Sequence, residues 1–243
     1  MLLLTLLACD FTLDSVLDAE TDHDEETDHD HDEETDHDGE TDHDAETDIG
    51  CETVEALPDG QILAIGDSMF DFIGDCADAP DLVGVTLGAR VTNEAVGGAT
   101  MLDDIPGQYY AEDWRWVIIN GGGNDMDCDS ESACLAILDA VESAWRDLIE
   151  AVTDDGAQVA LVGYPDFSED SESGALWAEL GGEMMERMSG VADAHDGVFF
   201  VDLREAMSGA AQPELFDADL IHPSPAGARV IADEIARVIG TTD

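Results

Sequence analysis

Gln61-Ile62-Leu63-Ala64-Ile65-Gly66-Asp67-Ser68-Met69-Phe70-Asp71 is an apolar run that stops at a glycine and turns polar at once. The run reads as a buried strand, and Gly-Asp-Ser reads as the tight turn that ends it. Such a turn lifts a serine hydroxyl onto the carboxyl edge of a sheet, where α/β proteins place their chemistry. By themselves these three residues are also ordinary turn and helix-cap chemistry, so the rest of the chain has to decide between the two readings.

Working outward, apolar runs recur at Val91 to Val96, Val117 to Ile119, Val159 to Val162 and Val198 to Val201. Longer stretches of helical character lie between and after them, at Leu82 to Ala89, Ser132 to Val152, Leu176 to Ala194 and Pro225 to Ile239. Strands alternating with helices imply parallel crossovers, hence an α/β three-layer sandwich. With 44% of its 243 residues hydrophobic, the chain has enough apolar material beyond Gly50 for one domain with a substantial core.

Three further blocks follow the serine turn: Asn93-Glu94-Ala95-Val96-Gly97-Gly98-Ala99-Thr100, then Gly122-Gly123-Asn124-Asp125, then Asp219-Leu220-Ile221-His222-Pro223. Four blocks in this order, spread over about Gln61 to Ile239, resemble the SGNH (GDSL-type) hydrolases, a family of serine esterases and lipases. The resemblance implies a five-stranded parallel sheet of flavodoxin-like order 2-1-3-4-5. It also implies a catalytic set: Ser68 as nucleophile, His222 as base and Asp219 as the carboxylate that orients the base. An oxyanion hole would come from the backbone N–H of Ser68, the backbone N–H of Gly98 and the side-chain amide of Asn124.

Ester hydrolysis by serine needs a base, an orienting group and oxyanion donors, and these residue types supply all three. Asp219 fits the Asp-x-x-His spacing, with Asp217 as its competitor; Gly97 competes with Gly98 if the alignment slips by one. His195, in a turn before a strand, reads as a surface residue. Tyr109, Tyr110, Trp114 and Trp116 could line an acyl or sugar pocket, but aromatics beside a strand are more often core and no role is assigned to them. No cofactor or metal is expected in the catalytic set.

The N-terminal region is of another kind. Residues 1–9, Met1-Leu2-Leu3-Leu4-Thr5-Leu6-Leu7-Ala8-Cys9, form an apolar segment whose Leu-Leu-Ala-Cys ending resembles a bacterial lipobox. This implies lipidation of Cys9 and an exported, membrane-anchored lipoprotein, periplasmic or at the cell surface. The segment departs from a common signal peptide in being very short and lacking Lys and Arg.

Residues 10–50 then carry Glu-Thr-Asp-His-Asp units starting at Glu20, Glu26, Glu34 and Glu40, with a truncated copy at Glu46. With no basic and almost no apolar residue, the tract is expected to stay an extended, disordered tether of roughly 35 Å r.m.s. span. Its alternating His and Asp residues suit weak, diffuse divalent-cation binding. The hydrolase-like domain would occupy 51–243.

The whole chain carries −53. Of its 60 acidic residues, 20 precede residue 49, leaving 40 against all seven basic residues, a net −33 for the remainder. All seven are Arg, and no basic patch exists to neutralise phosphates, which argues against nucleic-acid partners. An alternative to the enzyme is a non-catalytic surface lipoprotein whose acidic repeats bind cations or a partner. Export would put Cys51, Cys76, Cys128 and Cys134 in an oxidising compartment. Of their three possible pairings, Cys51 with Cys76 and Cys128 with Cys134 is favoured.

Overall fold

The computed structural model describes residues 51–74, 76–171 and 174–242. The segment ending at Cys9 and the acidic repeats lie outside the described residues. Five strands, β1 (Asp59–Ile65), β2 (Arg90–Asn93), β3 (Trp116–Ile119), β4 (Gln158–Val162) and β5 (Val198–Val201), form one sheet of order β2-β1-β3-β4-β5. Every neighbouring pair is parallel, with Ile65 opposite Ile119 and Ile119 opposite Leu161 at the carboxyl edge. The order and direction are those the sequence implied.

Helices α1 (Cys51–Glu55), α2 (Ala79–Leu87), α3 (Glu131–Asp154), α4 (Gly174–Asp193) and α5 (Pro225–Thr241) complete the fold. Right-handed crossovers decide the layers: the chain moves one way from β1 to β2 and the other way from β3 to β5, so α2 must lie on the face opposite α3 and α4. α2 accordingly packs on α5, and α3 on α4. The central strands are covered on both faces, and β3 is buried throughout, which is why they read as unbroken apolar runs.

Local chemistry sets the helix ends. Ser130 Oγ accepts from the Ala133 N–H to cap α3, and Ser224 Oγ accepts from the Gly227 N–H to cap α5, whose first residue is Pro225. Gly88, in the left-handed region at φ 70°, stops α2 at Leu87, two residues short of the expected Ala89. α2 begins at Ala79, before the expected Leu82, because Pro80 suits a first turn. Gly227 packs so closely on the Leu215 carbonyl that even an added methyl would force α5 away.

One strand is shorter than its apolar run. β2 ends at Asn93, and Val96 is 56% exposed. Asn93 turns the chain: its Oδ1 accepts from the Ala95 N–H and its Nδ2 donates to the Phe70 carbonyl, so the backbone leaves the sheet for the loop containing Gly97 and Gly98. Trp116 is core, 1% exposed. Cys51 is bonded to Cys76 and Cys128 to Cys134, with Cα separations of 5.0 and 5.3 Å.

Candidate active site

At the carboxyl end of β1 the serine turn is fixed from several directions. Gln108 clamps Gly66, accepting from its N–H at 2.7 Å and donating to its carbonyl at 3.0 Å. Asp67 points inward, 2% exposed, with Oδ1 accepting from the Met69 N–H at 2.9 Å. Ser68 is thereby left facing the opposite way, half-buried at the surface of the sheet edge.

After β5 and the turn Pro213–Leu215, the chain makes a compact loop before α5. The Asp217 N–H donates to the His222 carbonyl at 2.8 Å, and Phe216 pairs with Pro223. Inside this loop Asp219 Oδ1 accepts from the N–H groups of Ile221 and His222, at 2.9 and 3.0 Å. Asp219 Oδ2 then meets His222 Nδ1 at 2.5 Å, and His222 Nε2 meets Ser68 Oγ at 2.9 Å. The structure thus brings Ser68, His222 and Asp219 into one hydrogen-bonded chain, and Asp219, not Asp217, holds the imidazole. Burial would raise the Asp219 carboxyl, but the His222 ring and the two amides outweigh it and hold the group below its ordinary range. His195 sits elsewhere, its Nδ1 against the Val191 carbonyl.

The expected oxyanion donors converge on the same edge. The Gly97 N–H is taken by Asp71 Oδ2 at 2.8 Å, while the N–H groups of Ser68 and Gly98 have no acceptor among the described residues. Gly98 adopts φ 80°, a conformation that favours glycine. Asn124 Nδ2 gives one proton to the Ala99 carbonyl at 3.0 Å, which leaves its second proton for a ligand. Asp125 ties the same two loops from the other side, accepting from Met101 N–H at 2.7 Å and Leu102 N–H at 3.0 Å. Gly122, at φ 117°, brings the β3 loop over Trp145, whose Nε1 donates to the Gly121 carbonyl.

Several contributing residues carry no local signal in the sequence. Phe72 stacks on His222 with centroids 3.9 Å apart and planes within 5°. Asp78, 7% exposed, accepts from the N–H groups of Phe72, Ile73 and Gly74 and so shapes the loop that presents this ring. Tyr164, just beyond β4, bonds Asp67 from below.

A cavity of about 790 Å³ flanks the site on the Leu220 side, lined in part by Phe167, Trp177 and Arg204 with Asp166, Glu169 and Asp170. Another of about 480 Å³ opens beside Val96, Gly97 and Gly98. A third, of about 800 Å³, lies at the amino edge of the sheet by Tyr110 and Trp114, away from Ser68.

Among solved structures, a Slackia heliotrinireducens protein described as an SGNH hydrolase is 24% identical, with TM-score 0.56, covering 74% of this chain and 98% of that one. Axe2, an acetyl xylan esterase from Geobacillus stearothermophilus, is 22% identical, with TM-score 0.56 and coverage of 76% and 96%. A family 2 carbohydrate esterase with a carbohydrate-binding domain from Corynascus thermopiles is 18% identical, with TM-score 0.59 and coverage of 76% and 67%. At these identities the likeness concerns the fold. No curated protein matches the chain. The model of the GDSL-like lipase/acylhydrolase family matches residues 64–230, well over half of the sequence, and the chain therefore belongs to that family of carboxylic ester hydrolases.

Proposed function

We propose that the protein is a serine esterase that cleaves short acyl or acetyl esters through an acyl-enzyme. The observation that carries this reading is the Ser68–His222–Asp219 chain with the free Gly98 and Ser68 N–H groups and the spare Asn124 proton on the same edge. With Nδ1–H donated to Asp219, the Nε2 lone pair of His222 faces the serine hydroxyl. His222 takes the Ser68 proton as Oγ bonds to the ester carbonyl carbon, and the carbonyl oxygen, now an anion, receives the three N–H donors. Collapse expels the alcohol, which leaves with the proton from His222. Water then repeats the sequence and releases the acid.

For the alcohol part, we favour a neutral, hydroxyl-rich group such as an acetylated glycan over an anionic lipid. The net −33 beyond residue 48 repels anions, and the cavity beside Leu220 combines the Phe167 and Trp177 rings with three carboxylates, while its Arg204 is already paired with Asp202. The sugar-ester activities named for the two carbohydrate esterases agree with this reading.

Labelling with a fluorophosphonate, with and without Ser68→Ala, tests the mechanism. The wild type should label and the variant should not; labelling that survives the substitution sinks it. The competing reading, an acidic cation-binding scaffold, expects no labelling at all.

As to place, we propose a lipoprotein anchored at Cys9, with 10–50 as tether and 51–243 as the hydrolase domain, on the outer side of a membrane. The Leu-Leu-Ala-Cys sequence and the two disulfides support export. Palmitate labelling lost in Cys9→Ser would agree; unchanged labelling would end it.

A further inference from the structure

Asp67 and Tyr164 are the most buried ionisable pair beside the site, and the serine mechanism above gives neither of them a task. Asp67 is 2% and Tyr164 3% exposed. Tyr164 Oη lies 2.5 Å from Asp67 Oδ2 and accepts from the Gly123 N–H at 2.9 Å. Asp67 Oδ1 accepts from Met69 N–H across the serine turn. Two backbone donors thus enter the pair from outside. One proton remains for the O–O contact, and the arrangement in which every group is satisfied has the phenol donating to an ionised carboxylate. A protonated Asp67 would leave the phenol hydrogen without an acceptor among the described residues. A buried network of this kind is stable only when complete, because each orphaned group in a low-dielectric interior is costly.

The three elements joined here are the ends of β1, β3 and β4. Met69 follows the nucleophile, and Gly123 precedes Asn124. Tyr164 is itself wedged: its ring centroid is 5.0 Å from that of Trp177, and a Cβ added at Gly123 would lie 3.0 Å from Tyr164 Oη and 3.3 Å from Trp177. The phenol oxygen therefore has little room to move, and Gly123 already sits at hydrogen-bond distance from it.

We infer that Tyr164, acting with Asp67, is a positioning residue that sets the distance between the Ser68 nucleophile and the Asn124 oxyanion donor. The inference rests on the serine-esterase reading above. It explains why a carboxylate is buried directly beside the nucleophile: Asp67 is the anchor through which the phenol holds the β3 loop to the serine turn. Asn124 is itself exposed and bonded to Ala99, so its reach toward a substrate oxygen depends on where Gly123 is held.

The test is a double-mutant cycle on a small soluble ester, using Tyr164→Phe, Asn124→Ala and the combination. Displacing a donor by a fraction of an ångström to an ångström should lower kcat about 10- to 100-fold with KM within about twofold. In the double variant the Tyr164→Phe loss should largely vanish, because a donor already absent cannot be misplaced. Asp67→Asn, which can satisfy only one of its two donors, should show the same kcat-selective loss and the same coupling to Asn124→Ala. A merely structural phenol would instead lower the melting temperature and multiply independently with Asn124→Ala. Wild-type kcat in Tyr164→Phe, or fully additive losses in the cycle, overturns the inference while Ser68→Ala remains inactive; activity in Ser68→Ala would strike the underlying mechanism.

Discussion

The two halves of the candidate active site are built in opposite ways. The proposed nucleophile, Ser68, stands on the sheet: Asp67, Met69 and Phe70 around it are 2%, 4% and 0% exposed, and the strands on either side are core. The proposed base, His222, and its carboxylate, Asp219, stand on a surface loop in which 217, 218 and 219 are all exposed, held by bonds the loop makes to itself. Leu220, at φ 59°, even adopts a backbone conformation that costs a branched side chain about 1–2 kcal/mol. Ser68 is thus positioned by global stability and His222 by local hydrogen bonds, so the two should respond differently to substitution and pH.

The largest effect should come from breaking the local half. Asp219→Asn should lower kcat about 10³- to 10⁴-fold, since an amide cannot both accept the two backbone donors and hold the His222 tautomer as the carboxylate does. Because the folded carboxyl titrates below its ordinary 3.8, any stability it contributes is fully present above 3.8 and fades only as pH falls through the lower folded value. The melting-temperature difference between wild type and Asp219→Asn should therefore narrow as pH falls below 3.8. An Asn variant retaining more than a tenth of kcat would mean the loop is not held as described.

Next in size is Asn124→Ala, about 10²- to 10³-fold in kcat with KM little changed, as expected for a donor that matters most when the oxyanion forms. The contrast is the rival donor position, Gly97, whose N–H is committed to Asp71. If the Gly97 N–H were the true donor, Asp71→Ala would raise activity by freeing it; it should do the reverse.

This asymmetry also explains what could be read from the sequence. The sheet half was legible because two-sided burial writes unbroken apolar runs, and strand ends then place Ser68 and Asn124. Where an apolar residue lies outside the sheet, as at Val96, the run misleads, because the turn is made by the Asn93 side chain and not by hydrophobicity. The loop half was legible only through the Asp-x-x-His spacing, which leaves Asp217 as a competitor; the Asp219 hydrogen bonds decide between them. Tyr164 and Asp67 are 97 positions apart and meet only once the sheet order is set, so nothing local marks the contact. The available hint was that a carboxylate closing a buried strand must find a partner.

A smaller effect is expected on stability than on chemistry from the covalent ties. Removing Cys51–Cys76 with paired serines should cost about 3.5 kcal/mol, and removing Cys128–Cys134 about 2 kcal/mol, because the longer loop restricts the unfolded chain more. Denaturant titration of both double variants gives the ranking. The reverse order would show that native-state strain or residual structure, not loop length, dominates.

The smallest effect isolates a ring contact that reaches from the sheet half to the loop half. Phe72 is carried by the loop leaving the serine turn, yet its ring lies flat on His222 at 3.9 Å while remaining 41% exposed. Asp78 fixes that loop through three backbone amides, so the ring is presented by a prepared backbone and not by chance rotamer choice. Stacking of this kind is worth about 0.5–1.5 kcal/mol, which caps the consequence at about 10-fold in rate if all of it orients the imidazole. Phe72→Ala should therefore lower kcat about 3- to 10-fold with an unchanged melting temperature, and Phe72→Tyr, which keeps the ring, should restore it. If Phe72→Ala matches wild type, the base loop holds His222 unaided and the halves are independent. If it costs a hundredfold, the loop's own hydrogen bonds are insufficient, and the base too is positioned from the sheet.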